Sequence, residues 1–143
     1  MLKIKKLVLL LFLIALAITA ICSCPSAEPV YSENMLPEDY FQLAQDRAER
    51  GDYKTAIAIY YKMKETFPDN LEKNIWASYE IAFLYHKLGD DPTCLRLLDE
   101  LLTLYAQDTN KLLPTAPKKL AEILRDNIVN KDQYNNKVAK ISK

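Results

Sequence analysis

Side chains able to do chemistry are scarce in this chain of 143 residues. His86 is the single histidine, and Cys22, Cys24 and Cys94 are the three thiols. A structural or catalytic metal site draws on several His and Cys at motif spacing, and no such cluster can be assembled here. Gly51 and Gly89 are the only two glycines and stand far apart, so no Gly-rich loop exists to cradle phosphates with its backbone N–H groups. His86 has no serine or cysteine close in sequence to activate and reads as a groove residue without chemistry. Cys94 falls in a helix-packing stripe and reads as a buried, inert thiol. The carboxylate pairs Glu38-Asp39 and Asp90-Asp91 stand at helix starts, where they complement the helix dipole. Lys118-Lys119 reads as solvated surface. The expectation is a protein with no catalytic residues, no cofactor and no metal.

The two remaining thiols lie in a different context. Met1 to Lys6 carries Lys3, Lys5 and Lys6, an apolar run follows from Leu7 to Ile21, and Cys22-Ser23-Cys24 closes it. Charge, then apolar run, then small residue is the layout of an export signal. Ile21-Cys22-Ser23-Cys24 resembles the lipobox of bacterial lipoproteins. That resemblance implies cleavage before Cys24 and acylation of Cys24, so residues 1–23 form the signal peptide. Several acyl chains hold a protein firmly, at about 0.8 kcal/mol per buried methylene. The alternative is an uncleaved membrane helix from Leu7 to Cys22, 16 residues against the roughly 20 of a comfortable span. After Lys6 the next basic residue is Arg47, so either anchor places the remainder outside the cytoplasm.

Without residues 1–23 the chain loses three lysines and no acids, leaving 16 basic against 19 acidic side chains, a net charge near −3. Nucleic-acid binding gets no support from that balance. Cys94 is left without a disulfide partner. From Pro25 to Leu36 apolar periodicity is lacking, and residues 24–36 read as a tether reaching at most ~40 Å.

The elements that must position any site repeat. Gly51-Asp52 recurs as Gly89-Asp90, an offset of 38, and the same offset pairs Leu43 with Ile81, Ala44 with Ala82, Ala56 with Cys94, Tyr60 with Leu98, Met63 with Leu101 and Phe67 with Tyr105. Small meets small and large meets large. Helical periodicity flanks both turns and strand signals are absent. The first copy predicts helices over about Glu38 to Arg50, opened by Pro37, and Tyr53 to Thr66, stopped by Pro68. The second predicts a helix capped near Asp69, with Glu72 three residues on, reaching about Leu88. Its partner opens at Asp91-Pro92 with aspartate as N-cap.

Ala44, Gly51-Asp52-Tyr53, Ala56, Tyr60 and Pro68, with Ala82, Tyr85 and Gly89 in the second copy, resemble the small, turn, aromatic and proline positions of the tetratricopeptide repeat (TPR). The period exceeds the usual 34 residues by four, near Leu71 to Asn74. In that it resembles BamD-like outer-membrane assembly lipoproteins and Tol-Pal-associated repeat proteins. The implied fold is all-α: two TPR-like helical hairpins and a C-terminal capping helix, a short α-solenoid over residues 37–130. The cap falls at Thr115 to about Val129, with Ala116, Leu120, Ile123, Leu124 and Ile128 inward and Lys118, Lys119, Glu122, Arg125 and Asp126 outward. Residues 131–143 read as a polar tail, frayed helix or disorder.

The helix from Leu71 to Leu88 is apolar on three stripes, so it must be covered nearly all round. Ile75, Ser78, Ala82 and Tyr85 form one stripe, and Ile81, Leu84 and Leu88 another. Trp76, Tyr79, Phe83 and His86 form the third. The repeat resemblance turns the third stripe toward a concave groove that holds peptides, joined by Phe41, Gln45, Ala48 and Glu49 of the first copy. Each of the three aromatics can bury about 150–250 Å², so the stripe needs a cover: the cap helix or tether, a partner or second copy, or a small apolar ligand. The expected function is a lipid-anchored scaffold of the bacterial envelope. Its partners would be another envelope protein or peptide, the membrane through the anchor, and another copy of the chain in self-association. The alternative is a transporter's accessory lipoprotein holding a small hydrophobic molecule, favoured by a closed cavity around Trp76, Tyr79 and Phe83.

Overall fold

The computed structural model describes residues 31–141. The signal peptide, Cys24 and the first part of the tether lie outside the described residues. Five helices follow in order: α1 Pro37–Glu49, α2 Tyr53–Thr66, α3 Leu71–Lys87, α4 Asp91–Gln107 and α5 Thr115–Ile141. The fold is all-α and repeat-like, and no strand occurs among the described residues.

Each hairpin is closed by the same device. Gly51 and Gly89 adopt φ of +78° and +79°, a left-handed turn that a residue with a Cβ enters at a cost. The aspartate that follows caps the next helix: Asp52 Oδ1 accepts from the Thr55 N–H at 3.4 Å, and Asp90 Oδ1 from the Thr93 N–H at 3.1 Å. The cap of α4 is therefore Asp90 and not Asp91, because the glycine turn delivers its next residue to the cap position. Asp91 and Pro92 fill the first turn. The cap of α3 likewise moves by one residue. Asn70 Oδ1, not the Asp69 carboxylate, accepts from the Lys73 N–H at 3.1 Å.

The hairpins stack through α3. Tyr40 and Ala44 of α1, Ile59, Tyr60 and Met63 of α2, and Ala77, Ile81 and Leu84 of α3 lie in one core cluster. Ile75 and Ala82 of α3, Cys94, Leu98 and Leu101 of α4, and Ala121 and Ile128 of α5 form a second. One helix thus feeds two cores, which is why its sequence is apolar on several stripes. Ala44, Ala56, Ala82 and Cys94 are 0% exposed, so the small residues at the repeat offset mark the seams where backbones approach.

The four additional residues of the second copy appear as one more turn. α3 has 17 residues where α1 has 13, and the excess lies at its start. Asn74 fixes that turn: its Nδ2 donates to the carbonyls of Phe67 and Pro68 at 3.0 and 2.9 Å.

One segment differs from expectation, and in another the structure chooses between two alternatives. Residues 31–36, expected in the tether, lie along the first hairpin, with the Tyr31 ring stacked on Tyr40 at 5.7 Å and Met35 packed on the first core. Their apolar side chains cover a face of α1 that would otherwise meet water. The tail takes the helical one of its two alternatives, as far as Ile141, since residues 130–143 contain neither glycine nor proline to end the helix.

Candidate functional site

Of the stripe predicted on α3, the structure keeps part on the surface and assigns the rest to packing. Trp76 and Phe83 are partly exposed and belong to neither core cluster. They stand two turns apart on one face. Tyr79 packs against the second core and stacks on Phe83, rings 6.2 Å apart. Lys87 Nζ lies 5.3 Å from the Phe83 ring centroid, a cation–π contact.

His86 is tied elsewhere. Its Nδ1 meets Asp91 Oδ1 at 2.5 Å, linking the end of α3 to the start of α4, so the ring acts as a corner clamp. Cys94 is 0% exposed beneath this corner, and burial pushes its thiol up to about 11. A thiol so rarely ionised is a poor nucleophile. No group of three or more His, Cys, Asp or Glu side chains converges among the described residues.

On α1, Phe41 turns inward, edge-on to Tyr60 at 5.0 Å, and Lys73 Nζ lies 5.2 Å from its ring centroid. Lys73 also pairs with Glu38 at 3.1 Å, joining α3 to α1. Gln45 and Glu49 are exposed, and no ring or ionic contact joins them to Trp76 or Phe83. The groove residues from the two helices therefore do not form one continuous aromatic surface. What remains open is the strip of α3 holding Trp76, Phe83 and, between them at helical spacing, Glu80.

Glu80 was not singled out by the sequence reading. Its carboxyl is partly buried and makes no hydrogen bond or ion pair with other described residues, and burial alone holds it above the usual carboxylate range. Its signal was an acid in a helix otherwise apolar on most sides.

A second unforeseen feature is a cavity of about 200 Å³ between α2, α3 and α4, lined by Tyr61, Lys64, Ser78, Leu97, Glu100 and Leu104 among others. Lys64 Nζ donates to Ser78 Oγ at 2.6 Å, and Ser78 Oγ donates to the Asn74 carbonyl at 2.8 Å. Burial lowers the Lys64 amine from its ordinary value. A lysine beside a serine invites comparison with a nucleophile and its base. Here the serine proton is aimed at a helix carbonyl and not at the amine, so the pair lacks the geometry for attack. The signal lay in Ser78, a hydroxyl in an apolar stripe that needs a partner when buried. No family model matches the chain, and neither a curated protein nor a solved structure matches it.

Proposed function

We propose that the protein is a membrane-anchored helical-repeat scaffold that holds a segment of another envelope protein against α3. One observation carries the reading: Trp76 and Phe83 stand partly exposed outside both cores, whereas Ile75, Ile81 and Leu84 of the same helix are buried in them. Glu80 between them adds a partly desolvated carboxyl that lies near the Tyr60 and Tyr79 hydroxyls but makes no ion pair among the described residues, and a basic side chain on the incoming segment would supply one. The preferred partner is thus an apolar peptide segment carrying lysine or arginine. Acylation of Cys24 and an extracytoplasmic location belong to the same proposal and rest on the lipobox resemblance.

The alternative, an accessory lipoprotein holding a small hydrophobic molecule, has less support. The α2/α3/α4 cavity is lined by neither Trp76, Tyr79 nor Phe83, and its volume falls short of the roughly 300 Å³ at which small-molecule sites begin. A photoreactive residue at position 83 tests the proposal in intact cells. A crosslinked envelope polypeptide, with yield reduced several-fold by Glu80→Gln, supports it; recovery of lipid or a small metabolite alone counts against it.

A further inference from the structure

The exposed large hydrophobic side chains are unevenly placed. Tyr31, Leu36, Leu71, Leu104 and Leu112 are 36%, 61%, 50%, 48% and 72% exposed and lie at one end of the bundle, while Tyr61, Leu120 and Ile123, at 41%, 37% and 59%, stand along its sides. The connectivity makes this so: α1, α3 and α5 begin there, and α2 and α4 finish there. Contacts across that end confirm the alignment, with Tyr40 against Phe67, Glu38 on Lys73, and the Tyr105 hydroxyl donating to the Pro114 carbonyl at 2.6 Å. At the opposite end, which holds the Gly51 and Gly89 turns, Leu88 is the exposed large apolar residue.

The second hairpin projects furthest at the apolar end. The additional turn of α3 carries Leu71, which shares a shallow recess with Ile75, Leu104, Leu112 and Leu113. The loop holding Leu112 is fixed in shape. Asp108 accepts from the Leu112 and Leu113 N–H groups at 3.1 and 2.9 Å, and Lys111 is held at φ +53°. The loop leaves Leu112 the most exposed leucine among the described residues.

The chain also enters at this end, through Tyr31. Between Cys24 and Tyr31 lie residues 25–30, which extend at most about 20 Å. An uncleaved apolar segment ending at Cys22 would leave a leash only slightly longer. Either anchor keeps this end next to the bilayer. We infer that Leu71, Leu104 and Leu112 seat in the membrane interface with Lys111 at headgroup level, fixing the orientation of the protein on the lipid surface. The strip around Trp76 then begins about 7 Å along α3 from Leu71 and runs down the flank of the bundle. This inference rests on the proposed anchor, but adds a contact that the anchor alone does not require.

The test uses the full chain reconstituted in phosphatidylcholine–phosphatidylglycerol vesicles. In a Trp76→Phe background, Leu112→Trp places the sole tryptophan in the loop; Leu71→Trp is a second reporter, and Lys54→Trp marks the opposite end. Lipids with brominated acyl chains should remove most of the emission from positions 112 and 71 and leave position 54 unaffected. Flotation separates the possible failures. A chain that floats without quenching at 112 and 71 retains its anchor and overturns this inference, including when a blue-shifted emission shows the leucines covered by a second copy. A chain that does not float overturns the anchor, and this inference with it.

Discussion

Replacing Trp76 by alanine, and separately Tyr60 by alanine, perturbs two large aromatic side chains placed in opposite circumstances. Tyr60 is 1% exposed inside the first core, with Phe41 packed edge-on against it. Truncating such a residue removes transfer free energy and leaves a cavity, together about 3–5 kcal/mol. For a folded region near 100 residues each kcal/mol moves Tm by roughly 4–8 °C, so melting should fall by more than about 12 °C. Trp76 is partly exposed and joins neither core. Water can occupy the space it leaves, the cavity contribution drops out, and about 1–2 kcal/mol remains. Thermal unfolding followed by far-ultraviolet circular dichroism measures both variants. Crosslinking yield from position 83, taken at a temperature where each is folded, measures capture. Trp76→Ala should lose most of its capture at little cost in stability. If instead it melts as early as Tyr60→Ala while capture persists, Trp76 is core and the binding face lies elsewhere.

Two further perturbations bear on the frame of the site. Gly89→Ala places a Cβ where nothing lies within 4 Å, so its cost is the left-handed backbone alone, about 1–2 kcal/mol by urea denaturation. Gly51→Ala should match it within the error of the method, and a large disparity would mean that the two turns are not equivalent. Cys94 predicts a pH dependence. Its thiol is raised from 9.0 to about 11 by burial; below pH 9 it is protonated in both folded and unfolded chains, and its contribution is intact. As pH rises from 9 to 11 the unfolded chain ionises first and stability falls, by about 2–3 kcal/mol at completion. Cys94→Ala should remove that part of the alkaline decline, and an unchanged slope would refute the assignment.

The repeat was legible because both copies solve the same local problem with the same residues. The Gly-Asp turn dictates a left-handed step and then a cap, and the paired positions Tyr60 with Leu98 and Met63 with Leu101 all prove at most 2% exposed. The cap of α4 slipped by one residue because two adjacent aspartates offer the same chemistry, and only the turn geometry chooses between them. The clamp made by His86, which is partly exposed as expected, was not legible for a related reason. Helical spacing places it in line with Phe83, whereas its partner Asp91 is brought within reach by the turn. Lys64 and Ser78 meet across helices, which periodicity within either helix cannot announce. The leucines at 71, 104 and 112 come from two helices and a loop, so only the common end of the antiparallel bundle gathers them.

The last helix explains how two hairpins can stand where stacked repeats ordinarily need at least three. A repeat hairpin buries its apolar face only against a neighbour, and the second hairpin has the first on one side. α5 supplies the other. Ala121, 0% exposed in the second core, lies one residue off the spacing that relates Ala44 to Ala82, so α5 behaves as the first helix of a third unit. Arg125 donates to Asp99 of α4 at 2.6 Å, and Ile128 is 2% exposed on the second core. Among the described residues no second helix of that unit covers its far side, and Leu120 and Ile123, expected inward, are 37% and 59% exposed there. The stack is therefore closed on the side where α3 needs cover for its second core. Trp76 and Phe83 of α3 belong to neither core cluster that this closure completes. The half-unit thus stabilises the second hairpin by covering its core with Ala121 and Ile128.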